Sequence, residues 1–193
     1  MSEQALTIEE RALLFTVLER AQKLGFIGKN ADLNSEISHS LRFGKAISHI
    51  LGDSPDWPSL RCLDIGSGGG LPALVVSLGW KETSWTLNEI SAAKCDFLEW
   101  AIRRLGVASR AIVAQCPIEK VTSDLDHKEE CDLVTARAFA PTAKVLELAT
   151  DLLKPGRFLL VSNAPLGKHE NFEGSSLFWF EDFENISVFQ KIT

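Results

Sequence analysis

Apolar positions along this chain change their period, and the change marks its elements. From Thr7 to Gly25 they recur at helical spacing, with Leu14, Leu18 and Ala21 on one stripe and Leu13, Val17 and Leu24 beside it. Thr7 and Glu10 stand in the capping-box pattern, where each side chain satisfies the other residue's orphan backbone donor, and Gly25 suits the stop. A second helix is predicted over 35–51. The stretch from Gly52 to Pro58, with prolines at 55 and 58, then punctuates the chain. The boundary falls there, with residues 1–58 as an N-terminal helical cap and 59–193 as the main fold.

Beyond Pro58 strand and helix patterns alternate. Strands are predicted at 61–65, 85–88, 111–114, 132–135 and 158–161, and helices at 71–78, 92–105 and 142–153. Pro155-Gly156 closes the last of these helices, and segments 176–180 and 186–189 suit a terminal antiparallel pair. Such alternation implies βαβ crossovers, hence an α/β fold with a mostly parallel sheet. Sheets of this kind bind ligands at the carboxyl ends of their strands, where the strand order reverses.

Composition adds little that is specific. A chain of 193 residues, 45% hydrophobic and 24% charged, matches one soluble globular domain. The longest apolar run near the N-terminus, 12–18, is too short for a bilayer and follows Glu9, Glu10 and Arg11, so a cytoplasmic protein without a membrane partner is expected. Cys62, Cys95, Cys116 and Cys131 are scattered, and His39, His49, His127 and His169 make no ligand spacing with them, so no metal is expected. The net charge of −6 argues against indiscriminate nucleic-acid binding while leaving room for a local basic patch around Arg42 and Lys45 or Arg103 and Arg104.

The informative stretch is 63–72, LDIGSGGGLP. An apolar strand enters Asp64, the chain turns through Gly66, Gly68, Gly69 and Gly70, and a helix starts near Pro72. Glycine lets a ligand lie against bare backbone. The dinucleotide fingerprint needs a third glycine where Leu71 stands, and no G-K-[ST] follows, so neither a nicotinamide site nor a P-loop fits. Asp64, Gly66, Gly68 and Gly70 do match the acidic-x-G-x-G-x-G pattern of class I S-adenosylmethionine-dependent methyltransferases, which have a Rossmann-like fold. Glu89, at the end of the second predicted strand, is placed to accept both hydroxyls of a ribose.

The methyl acceptor is addressed by elimination. The N/D-P-P-aromatic loop used for exocyclic amines is replaced by 136–141, ARAFAP, and Cys116-Pro117 follows the wrong strand for a pyrimidine-carbon nucleophile. No lysine-centred base for a ribose hydroxyl can be assembled. The ring N7 of guanine carries a free lone pair, so positioning alone can supply much of the rate and no catalytic residue is assigned.

Three segments, 63–72 with 132–141 (DLVTARAFAP) and 152–160 (LLKPGRFLL), resemble the ribosomal RNA small-subunit methyltransferase G family, also called GidB. The resemblance covers roughly 61–161. It implies methylation of N7 of a guanosine in small-subunit ribosomal RNA, with S-adenosylmethionine as cofactor and that RNA as partner; a monomer is expected. Carried over position by position, it implies cofactor contacts at Gly66, Leu71, Glu89 and Arg137. The family's arginine-small-acidic motif falls on Cys116, Pro117 and Ile118, which puts Pro117 and Ile118 on the adenine side. The chain departs from the family at Ser162-Asn163, where Lys-Gly is usual, and His39-Ser40-Leu41 only loosely echoes its histidine segment. Arg137 has a second reading, as the ion-pair partner of a carboxylate. Two alternatives stay open: a methyltransferase for a small molecule or protein, and a cofactor-binding module without catalysis.

Overall fold

The structure is a computed structural model and describes residues 6–52, 60–123, 129–162 and 176–192. The N-terminal helix α1 (Ile8–Lys23) begins on the predicted capping box: Thr7 N–H donates to Glu10 at 2.9 Å and Glu10 N–H to Thr7 Oγ1 at 3.1 Å. Helix α2 (Leu33–Leu51) starts two residues before the prediction, because Asp32 caps it through the Asn34 N–H. The predicted boundary at Pro58 lies outside the described residues, as do His127, His169 and Asn163.

The main fold then runs β1 (Leu60–Ile65), α3 (Ala73–Gly79), β2 (Thr83–Glu89), α4 (Ala92–Arg104), β3 (Ala111–Gln115), α5 (Ile118–Ser123), β4 (Cys131–Arg137), α6 (Thr142–Leu152), β5 (Leu153–Ser162), β6 (Leu177–Phe183) and β7 (Ile186–Lys191). Every predicted strand is present, most of them a residue or two longer. Two boundaries differ in kind. Helix α5 was not expected, and Pro155-Gly156 lies inside β5 rather than ending a helix, where a register shift in the β4–β5 pairing accommodates it.

The seven strands form one sheet in the order β3-β2-β1-β4-β5-β7-β6. Strands β1 to β5 are parallel, and β7 pairs antiparallel with both β5 and β6. Side chains of alternating residues feed two cores. Leu60, Cys62 and Leu133 pack with α1, α2, α3 and α4 on one face, while Leu63, Ile65 and Val134 pack with α5 and α6 on the other. Parallel strands covered on both faces read as continuous apolar runs, which is why periodicity alone could not say which helix lies on which side. The chain proceeds from β1 toward β3 on one side and from β4 toward β6 on the other. The carboxyl ends of β1 and β4 therefore flank the switch point.

Candidate functional site

The turn after β1 carries three glycines at positive φ: Gly66 at 66°, Gly68 at 53° and Gly70 at 91°. Two of its glycines show why side chains are missing. A Cβ on Gly69 would come within 2.6 Å of Ile27 Cγ1 and 3.0 Å of the Phe26 carbonyl, so the α1–α2 connection rests directly on the turn. A Cβ on Gly68 would meet nothing nearer than the Gly66 carbonyl at 3.7 Å, an ordinary van der Waals contact, so the protein itself leaves room there. Gly68 thus leaves a bare cradle.

Glu89 ends β2 and holds this turn. Its Oε2 accepts the Gly68 N–H at 3.0 Å, and its Oε1 accepts the N–H groups of Ile90 at 2.8 Å and Ser91 at 2.9 Å. Lys94 Nζ lies 3.9 Å from Oε2. A carboxylate has about four lone-pair sites, so acceptor capacity remains for an incoming hydroxyl.

Asp64 lies beneath the turn and is 1% exposed. Strand register places it opposite Thr135, whose hydroxyl donates to Oδ1 at 2.6 Å, while Oδ2 has no hydrogen-bond partner among the described residues. Burial pushes its carboxyl up to about 7, against the opposing pull of the Thr135 and Ser67 hydrogen bonds and the Arg137 charge. Asp64 lines neither cavity at this end of the sheet.

Two cavities open around the turn. One, of ≈ 330 Å³, lies beyond the ends of β2 and β3 and is lined by Asn88, Glu89, Ile90, Cys116, Pro117 and Ile118 among others. The other, of ≈ 450 Å³, lies under the α1–α2 connection and includes Phe26, Ile27, Glu36, Gly68, Leu71 and Arg137. Gly66, Lys94 and Ala138 border both. The sequence-predicted residues Gly66, Gly68, Leu71, Glu89, Pro117, Ile118 and Arg137 are therefore brought together. Gly70 points inward instead, where a Cβ would overlap Leu74. A third cavity, of ≈ 350 Å³, sits at the amino half of the strands around Arg61 and Thr86 and contains none of these residues.

Arg137, the last residue of β4, is ion-paired with Glu36 of α2 and donates to Ser40 Oγ at 3.4 Å. Its second reading, as a carboxylate's partner, is therefore realised in a residue that also faces the larger cavity. The next residue, Ala138, is held at φ 53°, a conformation that costs a non-glycine residue about 1–3 kcal/mol and is found at functional sites. Nearby His39 has its imidazole pushed down by burial and then by the Arg137 and Arg42 charges.

Sequence reasoning missed Glu36, Asn88, Lys94 and Phe139. Asn88 Nδ2 donates to the Cys116 carbonyl at 2.9 Å and so fixes the turn carrying Pro117. A Cβ on Gly66 would overlap the Phe139 ring, which folds over that glycine. Lys94 follows Glu89 by five residues in the first turn of α4, a proximity readable in principle. Glu36 gave no local signal, since it meets Arg137 across 101 positions. Among the described residues, no group of three or more His, Cys, Asp or Glu could hold a metal ion, and no helix is long and apolar enough to cross a membrane.

A parallel sheet in this order with one reversed strand, and a glycine turn at its switch point, define the class I methyltransferase fold. A methyltransferase from Geobacter sulfurreducens superposes with a TM-score of 0.59 at 13% identity, covering 79% of this chain and 77% of that one. The O-methyltransferase from Bacillus cereus, solved in complex with SAH, gives 0.61 at 17% identity, covering 79% and 66%. The family model described as rRNA small subunit methyltransferase G (GidB) matches residues 30–191, and the chain belongs to that family. The ribosomal RNA small subunit methyltransferase G of Rubrobacter xylanophilus is 29% identical over 168 residues, covering 87% of this chain and 61% of that protein. That of Rhizorhabdus wittichii is 41% identical over 90 residues, covering 47% and 39%. The matched segments thus span 39% to 61% of the length of these curated relatives.

Proposed function

We propose that this chain binds S-adenosylmethionine at the β1–β4 switch point and methylates N7 of a guanosine in small-subunit ribosomal RNA, as a cytoplasmic monomer. One observation carries the reading: the open cradle at Gly68, flanked by Glu89 and Arg137, in a chain of this family. A side chain would fill that cradle, and the residues around it suit the two ends of the cofactor.

Glu89 takes a ribose hydroxyl with its remaining acceptor site, and Pro117 and Ile118 wall the adenine side. Gly66, Gly68 and Leu71 line the middle with little side-chain bulk, and Arg137 meets the carboxylate of the methionine tail. Asp64 and Gly70 support the turn from below. When bound, the cofactor supplies an electrophilic methyl group on a sulfonium. Guanine N7 needs no base to receive it, so the protein's task is alignment and exclusion of water. Helices α1 and α2 act as a cap over the larger cavity.

Incubation with tritium-labelled S-adenosylmethionine and deproteinised or ribosomal small-subunit RNA tests the proposal. Label in N7-methylguanosine is the expected outcome, and counts no higher than a heat-killed control remove the RNA assignment. The net charge of −6 and the uncharged Ser162 at the end of β5 favour a second reading, a methyl acceptor that is a small molecule or protein. Label appearing in those fractions of an extract and not in RNA selects it.

A further inference from the structure

The ion pair between Glu36 and Arg137 stands in the wall of the ≈ 450 Å³ cavity, and both residues line it. We infer that Glu36 and Arg137 together form a charge-paired subsite for an α-amino acid zwitterion, in which Glu36 receives the α-ammonium and Arg137 the α-carboxylate. The inference rests on the S-adenosylmethionine reading of the cleft and names a residue outside the glycine turn as part of its specificity.

Bonding capacity supports it. Arg137 spends one N–H group on Glu36 and one on Ser40, out of five that a guanidinium offers. Ser40 is fully buried, and its hydroxyl donates back to the Glu36 carbonyl at 2.9 Å, so the Arg137 side of the pair is braced by α2 itself. Glu36 uses Oε2 for Arg137, while its Oε1 makes no hydrogen bond among the described residues. Both side chains keep some exposure, 24% for Glu36 and 17% for Arg137. The pair therefore presents unused donors and an unused acceptor to the same cavity.

Charge supports it as well. The tail of S-adenosylmethionine carries one carboxylate against two cationic groups, the ammonium and the sulfonium. A lone arginine would attract the first and repel the other two. With Glu36 beside it, the local charge is balanced, and each end of the zwitterion meets an opposite partner. Lys94 and Glu89 repeat the arrangement on the nucleoside side, with Nζ and Oε2 3.9 Å apart.

The test is calorimetric titration of the wild-type chain and Glu36→Gln with three ligands. They are S-adenosylhomocysteine, its analogue lacking the α-amine, and 5′-methylthioadenosine, which lacks the whole amino acid end. The expected result is at least about a tenfold weaker Kd for S-adenosylhomocysteine in the variant, the range for a lost hydrogen bond to a charged group. 5′-Methylthioadenosine should bind both proteins within about twofold, since it reaches neither residue of the pair, and the analogue lacking the α-amine should bind the variant at least as tightly as the wild type, since its carboxylate no longer meets a like charge at Glu36. Unchanged or tighter binding of S-adenosylhomocysteine to the variant overturns the inference, for Glu36 would then only neutralise Arg137. Loss of all three ligands in the variant also overturns it and assigns Glu36 to holding the cleft together. Failure of the wild-type chain to bind any of them is a different result, which removes the cofactor reading and this inference with it.

Discussion

The Glu89 carboxylate accepts the backbone N–H of Gly68 at 3.0 Å, so the end of β2 holds the turn that follows β1. One side chain thereby shapes the cradle and, on the proposed function, also meets the ligand. Removing it should weaken both. We expect Glu89→Ala to reduce S-adenosylhomocysteine affinity by about 1–3 kcal/mol and to lower the melting temperature, because three backbone donors lose their acceptor. Titration calorimetry and a thermal melt check this; a change below a few tenths of a kcal/mol in affinity would show that Glu89 serves the turn alone.

Gly68 separates strain from blockage. Its φ of 53° disfavours any side chain by about 1–3 kcal/mol, but nothing in the protein itself occupies the space a Cβ would take. Gly68→Val should therefore leave a folded chain with a modestly lower unfolding free energy and no measurable S-adenosylhomocysteine binding. Retained affinity would place the ligand elsewhere.

Asp64 should make stability depend on pH. Its folded value of about 7 lies above the ordinary 3.8, so between those limits the folded chain holds more protons than the unfolded one. Linkage then requires this contribution to be fully present at low pH and to be lost as pH rises toward 7. Thermal midpoints at about pH 5 and about pH 8 should differ more in the wild type than in Asp64→Asn. Equal pH dependence in the two proteins would mean that Asp64 is ionised in the fold throughout.

Lys191 offers a control far from the cleft. It is buried at the end of β7, and its Nζ donates to Glu129 at 2.7 Å and to the carbonyls of Thr150 and Leu153 at 2.9 Å each. Those two carbonyls belong to the last turn of α6 and its exit, at the opposite end of the sheet from the cradle. Lys191→Met should destabilise the chain by about 1–3 kcal/mol in urea unfolding, since buried acceptors lose their donor. S-adenosylhomocysteine affinity should not change.

Much of the fold was legible because its signals are local. The capping box at Thr7 and Glu10 sits within four residues, and the alternation of apolar runs with helical stripes marks each strand. Where the reading slipped, a non-local term won. Pro155-Gly156 reads as a helix stop by composition, yet β4 supplies a partner and β5 runs through it with a register shift. Helix α5 has only six residues, too few for a periodic pattern to stand out, and it is held by packing of Ile118 and Val121 in the second core.

The same division holds at the site. The sequence alone determined the glycine turn, its acidic neighbours and the family they indicate, because backbone conformation and strand–turn–helix order are written in adjacent residues. Tertiary structure decided which of those residues face the cavities: it put Asp64 and Gly70 beneath the turn and Glu89 against it, and it brought Glu36 from α2 onto Arg137 of β4. Such pairings depend on how helices dock on the sheet, and docking is governed by apolar packing that carries no label for the polar groups it happens to bring together.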